Sequence, residues 1–223
     1  MELFEKHEQF EMEVLQHLQR CRILEYLIFG GGTMLRLCHG LPRYSTDLDF
    51  YLFDQSRAKE LFQKIHDYLQ VHYTLIDGQD KYNTHLFELK SPNYPRKLKI
   101  QINKKKVIPN TQLSIAWSPN SSQQVPVTII PLKTMMQFKF EAFIDRKEIR
   151  DAYDIEYLVR RGISLLREKD KLEEVRKQIM ALTPNDYNIK LGSILAPDQR
   201  AYYRENKFSF LLGTIQGQLN SKD

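Results

Sequence analysis

The sequence predicts an α+β protein, with a mixed α/β domain over residues 1–130 and a helical-bundle domain over residues 131–223. Three observations carry that reading. Short β-prone runs, broken by Pro, Asn, Gly and Ser, crowd the stretch from Val71 to Ile130. Helical spacing of apolar residues precedes them. After Pro131 the texture becomes helical and stays so.

Taken in order, Leu3, Phe10, Val14 and Leu18 recur at helical spacing with charges between them, so residues 3–20 read as an amphipathic helix. Residues 25–29 suit a short strand ended by Gly30, Gly31 and Gly32, and Thr33 to His39 suits one or two helical turns closed by Gly40 and Pro42. Asp47 to Phe53 alternates polar with apolar side chains and reads as a strand. Ser56 caps a helix to Tyr68. Residues 71–76, 84–89, 98–103, 113–117 and 125–130 read as strands. Residues 134–161, 164–182 and 207–219 read as helices, with two smaller helical pieces near 185–206.

Composition narrows the class. Hydrophobic residues make up 42% and charged residues 27% of 223, an ordinary folded make-up that excludes wholesale disorder or a fibrous repeat. No apolar run approaches the roughly 20 residues of a membrane helix, and Glu2, Glu5 and Glu8 carry the wrong charge for a signal peptide. Two cysteines, Cys21 and Cys38, form no CxxC, so the expected setting is a reducing cytoplasm without a disulfide framework or structural zinc. The net charge of +5 is concentrated. Lys90, Arg96, Lys97, Lys99, Lys104, Lys105 and Lys106 follow one another with no acidic residue between, either as a solvated strand edge or as an anion-binding surface. Tyr82, Tyr94 and Trp117 flank this stretch, either packing in the sheet or stacking on RNA bases.

The chemistry concentrates in Gly30-Gly31-Gly32-Thr33 and in Arg43-Tyr44-Ser45-Thr46-Asp47-Leu48-Asp49-Phe50. Glycines after a strand permit positive φ and close approach of a ligand, and a helix opening there turns free N–H groups and a positive dipole end toward phosphate. In a strand, Asp47 and Asp49 share one face while Leu48, Phe50 and Leu52 enter the core. Two carboxylates about 6–7 Å apart at Cα repel each other unless a cation such as Mg²⁺ joins them.

These residues resemble the first motif of the AbiEii/AbiGii-type toxin nucleotidyltransferases, a branch of the polymerase-β-like superfamily. A second block from Pro131 to Asp154, with Lys139, Arg146, Arg150, Asp151 and Asp154, is similar to that family's Lys-x-x-Ala … Arg … (Lys/Arg)-Asp-x-x-Asp segment. The resemblance implies a polymerase-β-like domain with a mixed sheet and a C-terminal helical bundle. It implies a nucleotide-binding turn of Gly31, Gly32 and Thr33, with Arg43 nearby and Ser45 on phosphate, and metal carboxylates Asp47 and Asp49. Lys139 is implied to pair with the triphosphate, and Asp154, or else Asp151, to be the further carboxylate needed for activity. The implied reaction is Mg²⁺- (or Mn²⁺-) dependent transfer of a nucleoside monophosphate from an NTP to an acceptor such as a tRNA 3′ end, another RNA or a protein hydroxyl. The protein would then be the toxin of a bacterial toxin–antitoxin or abortive-infection system, with a cognate antitoxin as partner.

One residue departs from the superfamily pattern. Gln101, in Leu98-Lys99-Ile100-Gln101-Ile102, stands where a third carboxylate is usual. An amide accepts a metal bond but brings no negative charge and cannot act as a base. The alternative reading is therefore a nucleotide- or RNA-binding module of the same fold without catalysis.

Overall fold

Burial of alternate residues along the strands at 47–52, 84–90, 98–103 and 124–129 organises the first part of the chain. The structure, a computed structural model, describes residues 2–221. It divides into two units, Met1–Pro131 and Leu132–Asp223, whose outermost residues, Met1, Lys222 and Asp223, lie outside the described ones.

The first unit runs α1 (Glu2–Arg20), β1 (Leu27–Gly30), α2 (Gly31–His39), β2 (Asp47–Leu52), α3 (Ala58–His72), β3 (Thr74–Asp80), β4 (Thr84–Lys90), β5 (Leu98–Asn103), β6 (Gln112–Trp117) and β7 (Gln124–Ile129). The strands form one mixed sheet in the order β3-β4-β5-β2-β1-β7-β6. β2 is antiparallel to β1 and parallel to β5, which places it inside the sheet with a neighbour on each side. Register aligns Leu48 with Ile100 and Phe50 with Ile102, and Ile100 with Phe87 of β4. These residues are buried, and Phe62 of α3 stacks on Phe87 with ring centroids 5.2 Å apart. The other face carries Asp47, Asp49, Tyr51, Lys99, Gln101, Asn103, Leu86 and Glu88, all half-buried. The pleat alone separates the two sets.

The second unit is helical: α4 (Leu132–Arg146), α5 (Ile149–Arg160), α6 (Lys169–Met180), a π-helical and 3₁₀ passage over Asp186–Ile194, α7 (Pro197–Asn206) and α8 (Ser209–Asn220). Its core is knit by aromatic contacts among Tyr153, Tyr203 and Phe208. The fully buried Glu156 accepts hydrogen bonds from Tyr203 Oη (2.9 Å), Arg160 Nη2 (2.9 Å) and the Leu211 N–H in the first turn of α8 (3.3 Å). A carboxylate aimed at a helix N-terminus satisfies a donor that no intrahelical carbonyl can reach.

Several boundaries differ from the sequence reading. α3 begins at Ala58 without a side-chain cap, Ser56 lying instead in a short 3₁₀ turn capped by Asp54. The helix expected to open at Thr33 opens at Gly31, so two glycines form its first turn. α3 continues to His72, where a strand from Val71 was expected: Leu61, Ile65 and Leu69 keep their four-residue spacing and their burial, while Val71 is left exposed. The helix read across 134–161 is two helices, parted where Lys147 takes φ 57°. α6 begins at Lys169 rather than 164, after Gly162 at φ 82°.

Candidate active site

β1 ends at Gly30, whose antiparallel partner is Asp49, so the turn into α2 lies beside the second carboxylate of β2. Gly31 has φ 74°, a conformation costly for any residue with a Cβ. A Cβ there would strike Asp49 Oδ2 and lie 2.8 Å from Asp49 Cβ. A Cβ on Gly32 would lie 2.6 Å from Arg43 Nη2 and 2.7 Å from Ser45 Oγ. The bare backbone of these two glycines is thus ringed by Asp49, Arg43 and Ser45. Gly30, the residue before α2, has no side chain to cap the helix, and the N–H groups of a helix's first turn are the natural donors to an anion.

The loop from Leu41 to Thr46, which carries Arg43 and Ser45, is fastened from two helices. Arg36 of α2 ion-pairs with the buried Glu8 of α1, and its Nη1 donates to the carbonyls of Leu41 and Arg43, each at 3.4 Å. Tyr44 stacks on Phe4 at 4.5 Å, and the Arg36 guanidinium lies 4.3 Å from the same Tyr44 ring. His7 Nε2 donates to Thr46 O at 3.0 Å. Burial, the largest influence on His7, holds its pKa below the ordinary value, which favours the neutral imidazole.

Thr33 is fully buried, and its hydroxyl donates to Asp47 O at 2.7 Å. The resemblance gave Thr33 a part in the nucleotide turn; its side chain is instead committed to holding the start of β2, and only its backbone N–H remains for such a role. Glu11, also fully buried, lies 3.6 Å from His7 Nε2. Desolvation, reinforced by the nearby Glu8 charge and opposed by Arg36, pushes its carboxyl well above the usual range.

Across β2, register sets Lys99 opposite Asp47 and Gln101 opposite Asp49. Gln101 therefore occupies the strand position from which a third carboxylate would face the pair, and contributes an amide. No cluster of three or more His, Cys, Asp or Glu side chains able to hold a metal occurs among the described residues. Two hard carboxylates on one strand face still suit a hard divalent cation, which commonly completes its shell with water and substrate phosphate.

In the second unit, Lys139 of α4 is buried, with Nζ 2.6 Å from Asp154 Oδ2 and 3.2 Å from Asp151 Oδ1 of α5. Arg146 clasps Asp151 from the end of α4, Nε to Oδ2 at 2.6 Å and Nη2 to Oδ1 at 2.7 Å. Lys139, Asp151 and Asp154 of the second block thus form a buried ionic cluster, closed by the exposed Arg146, while Arg150 is exposed. Asp151 sits inside the first turn of α5 and receives the Arg146 guanidinium.

A family model described as nucleotidyl transferase AbiEii toxin, Type IV TA system, matches residues 13–216. The chain belongs to the AbiEii nucleotidyltransferase toxin family. Solved structures with a similar fold include a Helicobacter pylori protein described as a nucleotidyltransferase (17% identity, TM-score 0.60, covering 94% of this chain and 96% of that one). JHP933 from Helicobacter pylori is similar at 15% identity and TM-score 0.52, over 93% and 94% of the two chains. The nucleotidyltransferase toxin MenT4 from Mycobacterium tuberculosis H37Rv is similar at 13% identity and TM-score 0.54, over 96% of this chain and 84% of that one. At these identities the likeness concerns the fold. No curated protein matches the sequence. Among the described residues of this AbiEii chain, no helix is long and apolar enough to cross a membrane.

Sequence reading missed the fastening of the loop. Glu8 and Arg36 lie 28 residues apart, and although helical spacing sets Glu8 and Glu11 on the buried face of α1 with Leu15 and Leu18, it does not say which cation meets them. The flanking aromatics divide. Tyr94 stacks on Phe10 at 4.6 Å and donates to Glu13 at 2.7 Å, while Tyr82 and Trp117 are exposed.

Proposed function

We propose that this AbiEii chain is an active, divalent-cation-dependent nucleotidyltransferase that moves a nucleoside monophosphate from an NTP to an acceptor hydroxyl and releases pyrophosphate. The single observation that supports it best is the packing of the Asp49 carboxylate against the bare backbone of Gly31, with Arg43 and Ser45 against Gly32. Carboxylates for a cation and donors for phosphate converge there on one backbone turn.

In this reading Asp47 and Asp49 hold Mg²⁺ or Mn²⁺, which neutralises phosphate charge when bound. The N–H groups of Gly31, Gly32 and Thr33 donate to phosphate oxygens at the positive end of α2. Arg43 and Ser45 add a charged and a neutral donor, fixing the polyphosphate for in-line attack. Lys139 and Asp154, which the resemblance assigns to the triphosphate and to catalysis, are ion-paired with each other inside the second unit. The acceptor is a tRNA 3′ end, the setting is the cytoplasm, and a cognate antitoxin restrains the activity.

The test incubates purified protein with each labelled NTP, Mg²⁺ or Mn²⁺ and total tRNA. Label transferred to RNA by the native chain and not by Asp49→Ala supports the reading. Nucleotide binding without any product favours the second reading, a binding module without catalysis, for which Gln101 opposite Asp49 is the specific motive.

A further inference from the structure

The tip of the β3–β4 hairpin and the segment after β5 meet at one corner of the first unit. The hairpin turn closes through Lys81 N–H to Thr84 O (3.0 Å), and Lys104 N–H donates to Asn83 O (2.9 Å), tying the two segments together. Asn103 Oδ1 accepts the N–H groups of Lys105 (2.9 Å) and Lys106 (2.8 Å), which fixes the backbone of the lysine run. Lys81, Lys104, Lys105 and Lys106 are thereby brought to one corner, where Asp80 engages Lys104 Nζ at 2.5 Å and His85 Nδ1 at 2.9 Å.

Tyr82 stands at the centre of this corner, 82% exposed. Lys105 Nζ lies 4.6 Å from its ring centroid, so one face of the ring is covered by a cation and the other is open. A large aromatic left in water on a backbone pinned by hydrogen bonds gains nothing from core packing. Aromatic faces flanked by lysines are the means by which proteins hold single-stranded nucleic acid without reading its sequence.

The corner lies just past the end of β5, the strand that pairs with β2 and sets Gln101 level with Asp49.

We propose that Tyr82, Lys105 and Lys81 form a binding site for single-stranded nucleic acid, with a base stacked on the open face of Tyr82 and the phosphates on the lysines. An acidic protein segment would satisfy the lysines but has no flat ring to lay on Tyr82, so the observations favour nucleic acid. The site deepens the reading of an RNA acceptor: it holds the strand upstream of the hydroxyl that reacts.

The test is fluorescence anisotropy of a labelled eight-nucleotide single-stranded RNA with the full chain, without NTP or metal. Binding is thereby scored independently of transfer, and a failure of the transfer reaction leaves its outcome unaffected. Tyr82→Ala should weaken binding about 5- to 100-fold, the range of one lost base–aromatic stack, and Tyr82→Phe should retain it. Lys105→Gln should weaken binding and flatten its dependence on salt. Because Tyr82 is exposed, unchanged melting temperatures will show that these variants are folded. No binding by the native chain, equal binding by Tyr82→Ala, or displacement of the RNA by polyglutamate at a comparable charge concentration would each overturn the site.

Discussion

The carboxylate of Asp49 occupies the space that a side chain on Gly31 would need, with Asp49 Cγ 2.9 Å from the position of that absent Cβ. Gly31→Ala therefore carries two penalties: a left-handed backbone, worth about 1–2 kcal/mol, and displacement of Asp49. Gly40→Ala is the control, since Gly40 has φ 76° but nothing within 4 Å of its Cβ position. Both variants should lose comparable stability from strain in urea titrations, while only Gly31→Ala should also lose NTP transfer, by about 10²-fold or more.

Glu11 makes stability depend on pH in a stated direction. Its folded carboxyl holds a proton more tightly than the unfolded chain does, because burial raises its pKa well above the ordinary 4.5. The contribution is full below about pH 4.5 and is lost as pH rises through the interval up to the raised value. Glu11→Gln keeps the shape without the titration. Its melting temperature relative to the native chain should rise as the pH climbs above about 4.5; a constant difference would show that Glu11 does not titrate across folding.

In the second unit, Lys139→Met removes the cation 2.6 Å from Asp154 while Arg146 still holds Asp151. Breaking a buried ion pair by removing one partner costs about 3–5 kcal/mol, and this variant should fall in that range. Adding Asp154→Asn should recover part of the loss, a coupling readable by a double-mutant cycle in urea.

Gln101 offers a gain-of-charge experiment. Gln101→Glu places a third carboxylate on the strand face opposite Asp49, and should lower the Mg²⁺ concentration needed for half-maximal transfer about tenfold or more. An unchanged requirement would show that the amide position does not face the cation.

Much of this arrangement was legible before the coordinates. The alternation Asp47-Leu48-Asp49-Phe50 can only be a strand with both acids on one side, and β2 has that half-buried, buried pattern. The glycine turn was legible because so few residues tolerate its geometry, although not that Gly31 and Gly32 would join α2. What escaped was long-range. The Glu8–Arg36 pair that fastens the Arg43 loop depends on which segments meet in space, and the pairing of β2 with β5 across 45 intervening residues was accessible only through the resemblance. Periodicity reports only how a segment distributes its own side chains. The break at Lys147 escaped because it is made by a lysine at φ 57° with no Gly or Pro to mark it.

Calorimetric titration with a non-hydrolysable NTP analogue, in the presence and absence of Mg²⁺, addresses the pairing of carboxylates and glycine turn most directly. The native chain should bind the analogue tightly only with the cation, and Asp47→Asn and Asp49→Asn should each weaken that binding by at least about 10- to 100-fold. Affinity that ignores Mg²⁺, or that survives both substitutions, would contradict the assignment of Asp47 and Asp49 as the residues that hold the cation beside the nucleotide.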